Sequence, residues 1–282
     1  MKTSKRQKIF GILGNNLDHS LSPEIHNHLL RMYALDGIYT RFDVKKPGLA
    51  KAISGIRTLG IDGLNVTFPF KESVIKYIDR IDRSALETGA VNTIKNVKGV
   101  LIGFNTDPYG IKMVLSDQLK MQIRNKKICL VGAGGAARAC VSVLLKNRPA
   151  SILVLNRSTR KAGKMIRSFN AAIGKTEIAV KSLHRIPGLG QSVTFDLIIN
   201  ATSAGAVLTG KIMHSMERAG VLESTGFFDL NYGNRAFSKT LPKGIARYED
   251  GLFMLVAQAV RSFQIWHGRK ANISEIYKIM KR

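Results

Sequence analysis

Lys127-Ile128-Cys129-Leu130-Val131-Gly132-Ala133-Gly134-Gly135-Ala136-Ala137 is the stretch that decides the fold. Its continuous apolar run reads as a strand buried on both faces, as in a parallel sheet covered by helices. Gly132-x-Gly134-x-x-Ala137 follows at once and opens a helix expected to reach Leu145. Glycine at the first two positions permits a tight turn and lets a pyrophosphate approach the N–H groups at the positive helix end. Ala137 keeps the helix close to the strand. Any glycine-rich turn carries similar letters, but strand before and helix after are the context that a dinucleotide site requires.

Downstream, Ser151 to Leu155 reads as the next strand, with a helix from Thr159 to Ala172 and strands at Phe195 to Asn200 and Phe227 to Leu230. This alternation is that of a doubly wound sheet. About 20 residues after the fingerprint, a site selective for NAD places an acid against the ribose 2′-hydroxyl. Here the strand ends in Asn156-Arg157-Ser158. A guanidinium pairs with a 2′-phosphate that a carboxylate would repel, so the expected cofactor is NADP. Arg157, Arg160, Lys161, Lys164 and Arg167 have helical spacing. Arg157 with Arg160 or Lys161 is assigned to the phosphate, and Lys164 and Arg167 to a solvated face.

Upstream, residues 8–107 also alternate. Strands are expected at Ile9 to Leu13, Ile38 to Val44 and Leu64 to Thr67, and helices from Ser22, over Leu49 to Thr58 and from Phe70. Ala90 to Lys95 and Val100 to Phe104 flank Asn96-Val97-Lys98-Gly99 as a hairpin, and Tyr109 to Leu119 reads as a connecting helix. Gly251 to His267 has apolar residues at helical spacing, and this helix with its successor is expected to return to the first domain. The reading is a two-domain α/β protein: 1–107 plus 251–282 as a substrate-binding, catalytic domain and 108–250 as a Rossmann-type NADP-binding domain.

The composition fits. The chain has 282 residues, 45% hydrophobic and 22% charged, enough apolar content for sizeable cores. No apolar run approaches the roughly 18 residues of a membrane span, and the basic start lacks a signal peptide's apolar region, so a cytoplasmic address is expected. Two cysteines, Cys129 and Cys140, build neither a disulfide framework nor a metal cluster, and no metal is expected. The net charge of +25 raises the question of nucleic acid. Basic and acidic residues number 16 and 10 over 1–107, 22 and 8 over 108–250, and 6 and 1 over 251–282. The excess is spread, without zinc-finger spacing or interleaved aromatics, so a field attracting small anions is the preferred reading.

Polar residues cluster at predicted strand ends, where open α/β sheets bind ligands. His19-Ser20-Leu21-Ser22-Pro23 sets two hydroxyls two residues apart, with Ser22 as N-cap and Pro23 at the first helical position. Ser22 serves as a plain cap or, with Ser20, as a carboxylate clamp at the helix N-terminus. Asn65, Thr67, Lys71 at the head of a helix, Asn92 and Asp107 lie at other termini, Asp107 followed by Pro108 also reading as a helix cap.

Together these motifs resemble the shikimate dehydrogenase family over nearly the whole chain. They are Ser20-Leu21-Ser22-Pro23, Asn65-Val66-Thr67-Phe68-Pro69-Phe70-Lys71, Gly89-Ala90-Val91-Asn92-Thr93, Asn105-Thr106-Asp107, Gly132 to Ala136, Asn156-Arg157-Ser158, Asn200-Ala201-Thr202-Ser203, and Asp250-Gly251 to Gln258, in family order. The resemblance implies reversible NADPH-dependent reduction of 3-dehydroshikimate to shikimate, on the route to chorismate and aromatic amino acids. It implies that Ser20 and Ser22 bind the substrate carboxylate, and that Asn65, Thr67, Asn92, Asp107 and Gln258 bind ring hydroxyls. Lys71, paired with Asp107, is the implied acid/base residue, and Tyr232 closes over the substrate. Implied cofactor contacts are Gly132, Ala133, Gly134, Gly135, Ala136, Asn156, Arg157, Ser158, Arg160, Lys161, Thr202, Leu230 and Gly251. Two departures are Pro108, where the family usually has Gly, and Gly233-Asn234-Arg235 after Tyr232, where it tends to have Pro and Thr. Alternatives are a quinate/shikimate dehydrogenase, or a catalytically idle relative that regulates or binds nucleic acid. The expected partner is the small-molecule substrate, without membrane or nucleic acid, in a monomer or homodimer.

Overall fold

Two six-stranded sheets carry the chain, and each has its own helices. The computed structural model describes residues 6–183, 194–202, 206–218, 225–233 and 245–281, with backbone alone for 206–209, 211 and 212. The chain divides into two units, Met1–Tyr109 with Leu255–Arg282, and Gly110–Met254.

In the first unit, β1 (Lys8–Gly14) lies parallel between β2 (Gly37–Asp43) and β3 (Gly63–Val66). The antiparallel hairpin β5 (Thr93–Val97) and β6 (Val100–Phe104) continues the sheet, with the short β4 (Arg80–Ile81) beside β6, giving the order β2-β1-β3-β5-β6-β4. One face buries Phe10, Ile12 and Tyr39 against Ile25 and Leu29 of α1 (Ser22–Met32) and Val260, Phe263 and Trp266 of α9 (Leu252–His267). Ile276 of α10 (Ile273–Met280) joins the same core. The other face buries Leu13, Leu64, Val66 and Ile94 against Ile53 and Ile56 of α2 (Leu49–Thr58) and Ala85 of α3 (Arg83–Thr88). The chain moves from β1 to β2 on one side and then crosses to β3 on the other, so strand order reverses at β1/β3, the kind of place where such sheets bind ligands.

The second sheet is wholly parallel, in the order β12-β11-β10-β7-β8-β9. Its strands are β7 (Lys127–Val131), β8 (Ser151–Asn156), β9 (Glu177–Ser182), β10 (Leu197–Asn200), β11 (Thr225–Asp229) and β12 (Ile245–Glu249). Ile128 to Val131 are fully buried, as the continuous apolar run predicts. Helices α4 (Asp107–Met113), α5 (Gly135–Lys146), α6 (Thr159–Arg167), α7 (Asn170–Ile173) and α8 (Ala206–Arg218) complete the described elements. Cys129 and Cys140 are both buried and form no disulfide. Among the described residues no helix is long and apolar enough to cross a membrane.

Several local expectations change. No α-helix follows Phe70, but a turn and a 3₁₀ segment at Ser73–Tyr77, so Lys71 does not head a helix. Val91 N–H donates to the Lys71 carbonyl at 2.7 Å, which takes a helical acceptor for a tertiary bond, while Phe70 and Val74 turn into the core. Ser22 is not the N-cap: α1 starts at Ser22, Leu21 is the cap residue, and no side chain caps it. The hairpin turns on Lys98 and Gly99 alone, both at positive φ (52° and 88°), and Val97 pairs with Val100. Helix α4 starts at Asp107, two residues early, which puts Pro108 in the first turn where its missing N–H costs no bond; a π-helical turn at Val114–Gln118 follows. The helix expected over 159–172 is broken at Ser168, whose hydroxyl donates to the Met165 carbonyl at 2.6 Å as Phe169 turns inward. The units divide at 109/110, inside α4, and at 254/255, inside α9, each a few residues beyond the expected 107/108 and 250/251.

Candidate active site

The polar residues singled out in the first unit gather at the carboxyl ends of β1, β3 and β6 and the start of β5. Lys71 Nζ lies 2.6 Å from Asp107 Oδ2, with the carboxylate 4% and the lysine 18% exposed as side chains. Asn92 Nδ2 donates to the other carboxylate oxygen at 2.8 Å, and Asn105 Oδ1 accepts from Asp107 N–H at 3.0 Å. The carboxylate is thus fixed on both oxygens, and the ammonium retains protons with no partner among the described residues.

Behind the pair lies a buried hydrogen-bond lattice. Asn92 Oδ1 accepts from Thr106 N–H at 2.8 Å and from Thr93 Oγ1 at 2.8 Å. Asn65 Nδ2 faces the Asn92 carbonyl (3.2 Å), Thr93 Oγ1 (3.1 Å) and Ser262 Oγ (3.0 Å), and Tyr39 O–H donates to Asn65 Oδ1 at 2.8 Å. Gln258 joins through Oε1, which accepts from Thr106 Oγ1 at 3.3 Å and Asn92 Nδ2 at 3.4 Å, while its Nε2 donates to the Leu255 carbonyl. Such a lattice is favourable only when every member is satisfied. Asn65 and Asn92, expected to bind a ring hydroxyl, spend their amide protons inside the protein and so position the neighbouring groups. Beneath them, His26 stacks on Tyr39 at 4.3 Å with neither ring nitrogen hydrogen-bonded. Burial and, second, the nearby His267 push its pKa down to about 3, against a smaller opposing pull from the Asn65 side chain.

Tyr39, Thr93, Thr106 and Ser262 were not singled out from the sequence as site residues. Ser262 could have been found, since it lies four residues after Gln258 and shares its helix face. Thr67 is partly buried where the chain leaves β3. Ser20 is partly and Ser22 nearly fully buried; Ser20 Oγ accepts from Ser22 N–H at 3.3 Å, and neither hydroxyl donates to a described residue.

In the second unit, strand order reverses at β7/β10. Gly132 has φ 116°, and a Cβ there would stand 2.9 Å from the Ala201 carbonyl oxygen beyond β10. Gly134 precedes α5 with no side-chain cap and open space around it, so a pyrophosphate fits against Gly135 and Ala136 N–H groups. Ala133 is buried beside them. At the β8 end Asn156 Nδ2 donates to the Ser158 carbonyl at 2.9 Å, and Ser158 Oγ caps α6 by accepting from Lys161 N–H at 3.2 Å. Ser158 therefore shapes the turn, and the exposed Arg157, Arg160 and Lys161 side chains have no described partner. Asn200 Oδ1 accepts from Thr202 N–H at 3.2 Å, and Asn231 Nδ2 bridges Asp229 and the Thr202 carbonyl. A side chain at Gly251 would collide with the Leu230 carbonyl. Tyr232 is partly buried in this unit; Asn234, Arg235 and Ser203 lie outside the described residues.

Three family profiles match: the shikimate dehydrogenase substrate binding domain over residues 12–94, the shikimate/quinate 5-dehydrogenase domain over 114–232, and the shikimate 5′-dehydrogenase C-terminal domain over 251–281. Shikimate dehydrogenase (NADP(+)) of Bacillus subtilis is 35% identical, covering 97% of this chain and 96% of its own. That of Pyrococcus abyssi is 38% identical, covering 93% and 92%. A solved shikimate 5-dehydrogenase of Thermus thermophilus, in complex with NADP(H) and shikimate, superposes with a TM-score of 0.76 at 26% identity, covering 98% of this chain and 99% of that one. With the fingerprint in its strand-turn-helix setting and the buried lysine–aspartate pair, these matches mean that the chain belongs to the shikimate dehydrogenase family.

Proposed function

We propose that this protein interconverts 3-dehydroshikimate and shikimate with NADP(H). The observation that carries the reading is the Lys71–Asp107 pair, 2.6 Å apart, its carboxylate held by Asn92 and its ammonium left with free protons. Bound NADPH supplies the hydride to the carbonyl carbon. As negative charge develops on the carbonyl oxygen, Lys71 Nζ gives it a proton and the ketone becomes a hydroxyl. In the reverse direction the neutral amine takes the hydroxyl proton. Asp107 orients Nζ and stabilises its charged form.

Ser20 and Ser22 hold the substrate carboxylate with their two unused hydroxyl protons. Thr67, Asp107 and Gln258 contact ring hydroxyls, Asn65 offers the second lone pair of Oδ1, and Asn92 acts through Asp107. On the cofactor side, Gly132 to Ala136 hold the pyrophosphate, and Arg157 with Arg160 or Lys161 holds the 2′-phosphate on a turn shaped by Asn156 and Ser158. Thr202, Leu230 and Gly251 complete the cofactor contacts. Initial rates with shikimate and quinate, each with NADP and NAD, test the reading; it expects the highest kcat/KM with shikimate and NADP. Equal or better turnover of quinate overturns the substrate, and equal use of NAD overturns the cofactor.

A further inference from the structure

The loop that carries Ser20 has few bonds of its own. Within it, Ser20 N–H donates to the Leu17 carbonyl at 2.9 Å, and Asn15 N–H reaches the Phe68 carbonyl at 3.2 Å. Asn16 sits in the left-handed region at φ 58°. Further bonds end on two side chains of the edge strand β2. Asp43 accepts from Asn16 N–H at 3.1 Å and Leu17 N–H at 3.4 Å. Arg41 donates from Nε to the Leu17 carbonyl at 3.1 Å, and from Nη2 to the Ser20 carbonyl at 2.7 Å and Glu24 Oε1 at 3.2 Å.

Arg41 and Asp43 share strand parity with Tyr39, so β2 turns all three toward the α1 side. The strand is itself fastened to α1, because Asn27 brackets Tyr39 by accepting from its N–H and donating to its carbonyl, each at 2.9 Å. Loop start, loop end and first helical turn therefore meet on one planar guanidinium. A lysine carries the charge but cannot present two fixed N–H vectors to two carbonyls.

We infer that Arg41 is a positioning residue for the carboxylate subsite: by bridging the Leu17 and Ser20 carbonyls it sets where the Ser20 and Ser22 hydroxyls stand. The inference rests on the proposed role of those two serines. Its consequence is selectivity, since a displaced pair of donors loses most of its advantage for a carboxylate over an uncharged ester.

The test compares kcat/KM for shikimate and its methyl ester at saturating NADP in the wild type, Arg41→Met, Arg41→Lys and Ser22→Ala. Arg41→Met is expected to cut the acid-to-ester ratio about tenfold, the scale of losing a hydrogen bond to a charged group. The loss falls on KM for shikimate, with kcat and KM for NADP within about twofold. Arg41→Lys, which keeps stem and charge, gives the same loss at an unchanged melting temperature. Equal losses for acid and ester, or full rescue by lysine, overturn the positioning role. A ratio lowered by Ser22→Ala but not by either Arg41 variant overturns it while leaving the serine clamp standing. A ratio unmoved by all three removes clamp and positioning role together.

Discussion

The two sites of this molecule that carry chemistry are built on opposite plans. Around Lys71 and Asp107 nearly every polar atom is buried and engaged, often twice, by Asn65, Asn92, Thr93, Thr106, Gln258 and Ser262. Around the β8 end, Arg157, Arg160 and Lys161 stand exposed without described partners, on a frame set by glycine geometry and one serine cap. In the proposed function the first plan fixes groups that move a proton, where a misplacement of an ångström is costly. The second leaves exposed cations to pair with a ligand phosphate. Fold stability and function should therefore be coupled at the first site and separable at the second.

The hardest blow to that contrast is struck at the acid/base pair. Lys71→Met should lower kcat by about 100-fold or more with a smaller change in KM, the usual contribution of a positioned proton donor. Asp107→Asn should also lower kcat, and the double variant should lose much less than the product of the single losses. Near-normal kcat in Lys71→Met refutes the assignment, and multiplicative losses dissolve the pair as a unit. The opposite pole is Arg157→Ala, which removes a charge-assisted contact of about 1.5–3 kcal/mol and should raise KM for NADP at least tenfold more than KM for NAD. Its melting temperature should stay put, since an exposed unpaired side chain leaves no hole. A clear fall in stability would place both sites on the same plan.

Acid sharpens the comparison further. His26, neutral when folded with a pKa near 3, takes up its proton only after unfolding between about pH 6.5 and 3. The unfolded state then binds more protons, so stability is complete above pH 6.5 and falls with pH by up to about 1.4 kcal/mol per unit. His26→Phe should flatten that slope in urea titrations at pH 7 and 5; an unchanged slope assigns acid sensitivity elsewhere. The smallest effect expected is from Ser262→Ala, about 1 kcal/mol of stability, because Asn65 Nδ2 loses an acceptor and the Thr93 hydroxyl a hydrogen-bond partner. It should be accompanied by a higher KM for shikimate and none for NADP, measured with the same preparation.

What could be read from the sequence follows the same division. The strand, turn and helix from Lys127 to Lys146 are local, and the apolar run, glycines and Ala137 all point one way. The same holds for α2, copied residue for residue as Leu49 to Thr58, and for Gly251 to His267. The helix expected from Phe70 failed because the bond from Val91 to the Lys71 carbonyl is long-range. Strands β9 and β12 lie at the sheet's edges, half exposed and with a weak pattern, and were not read at all. At the site, the residue types of the pair and the fingerprint were legible as motifs. The lattice behind them was not, because Tyr39, Asn65, Thr106 and Ser262 come from four separate segments and no local spacing joins them.

The first unit is completed only by Leu255–Arg282, and that has a consequence for the order in which a ribosome delivers the molecule. Trp266 N–H reaches the Ile94 carbonyl across 172 positions, and Ser262 reaches Asn65 across 197. Until translation passes them, β3 and β5 wait with unanswered polar groups and an uncovered apolar face, while Gly110–Met254 already holds all six strands of its own sheet. The nucleotide-binding half is thus able to mature on the emerging chain, and the proton-handling half, though begun first, is finished last. For the nascent protein, the stretch of greatest exposure to misassembly and to chaperone capture is the interval between synthesis of β6 and release of α9.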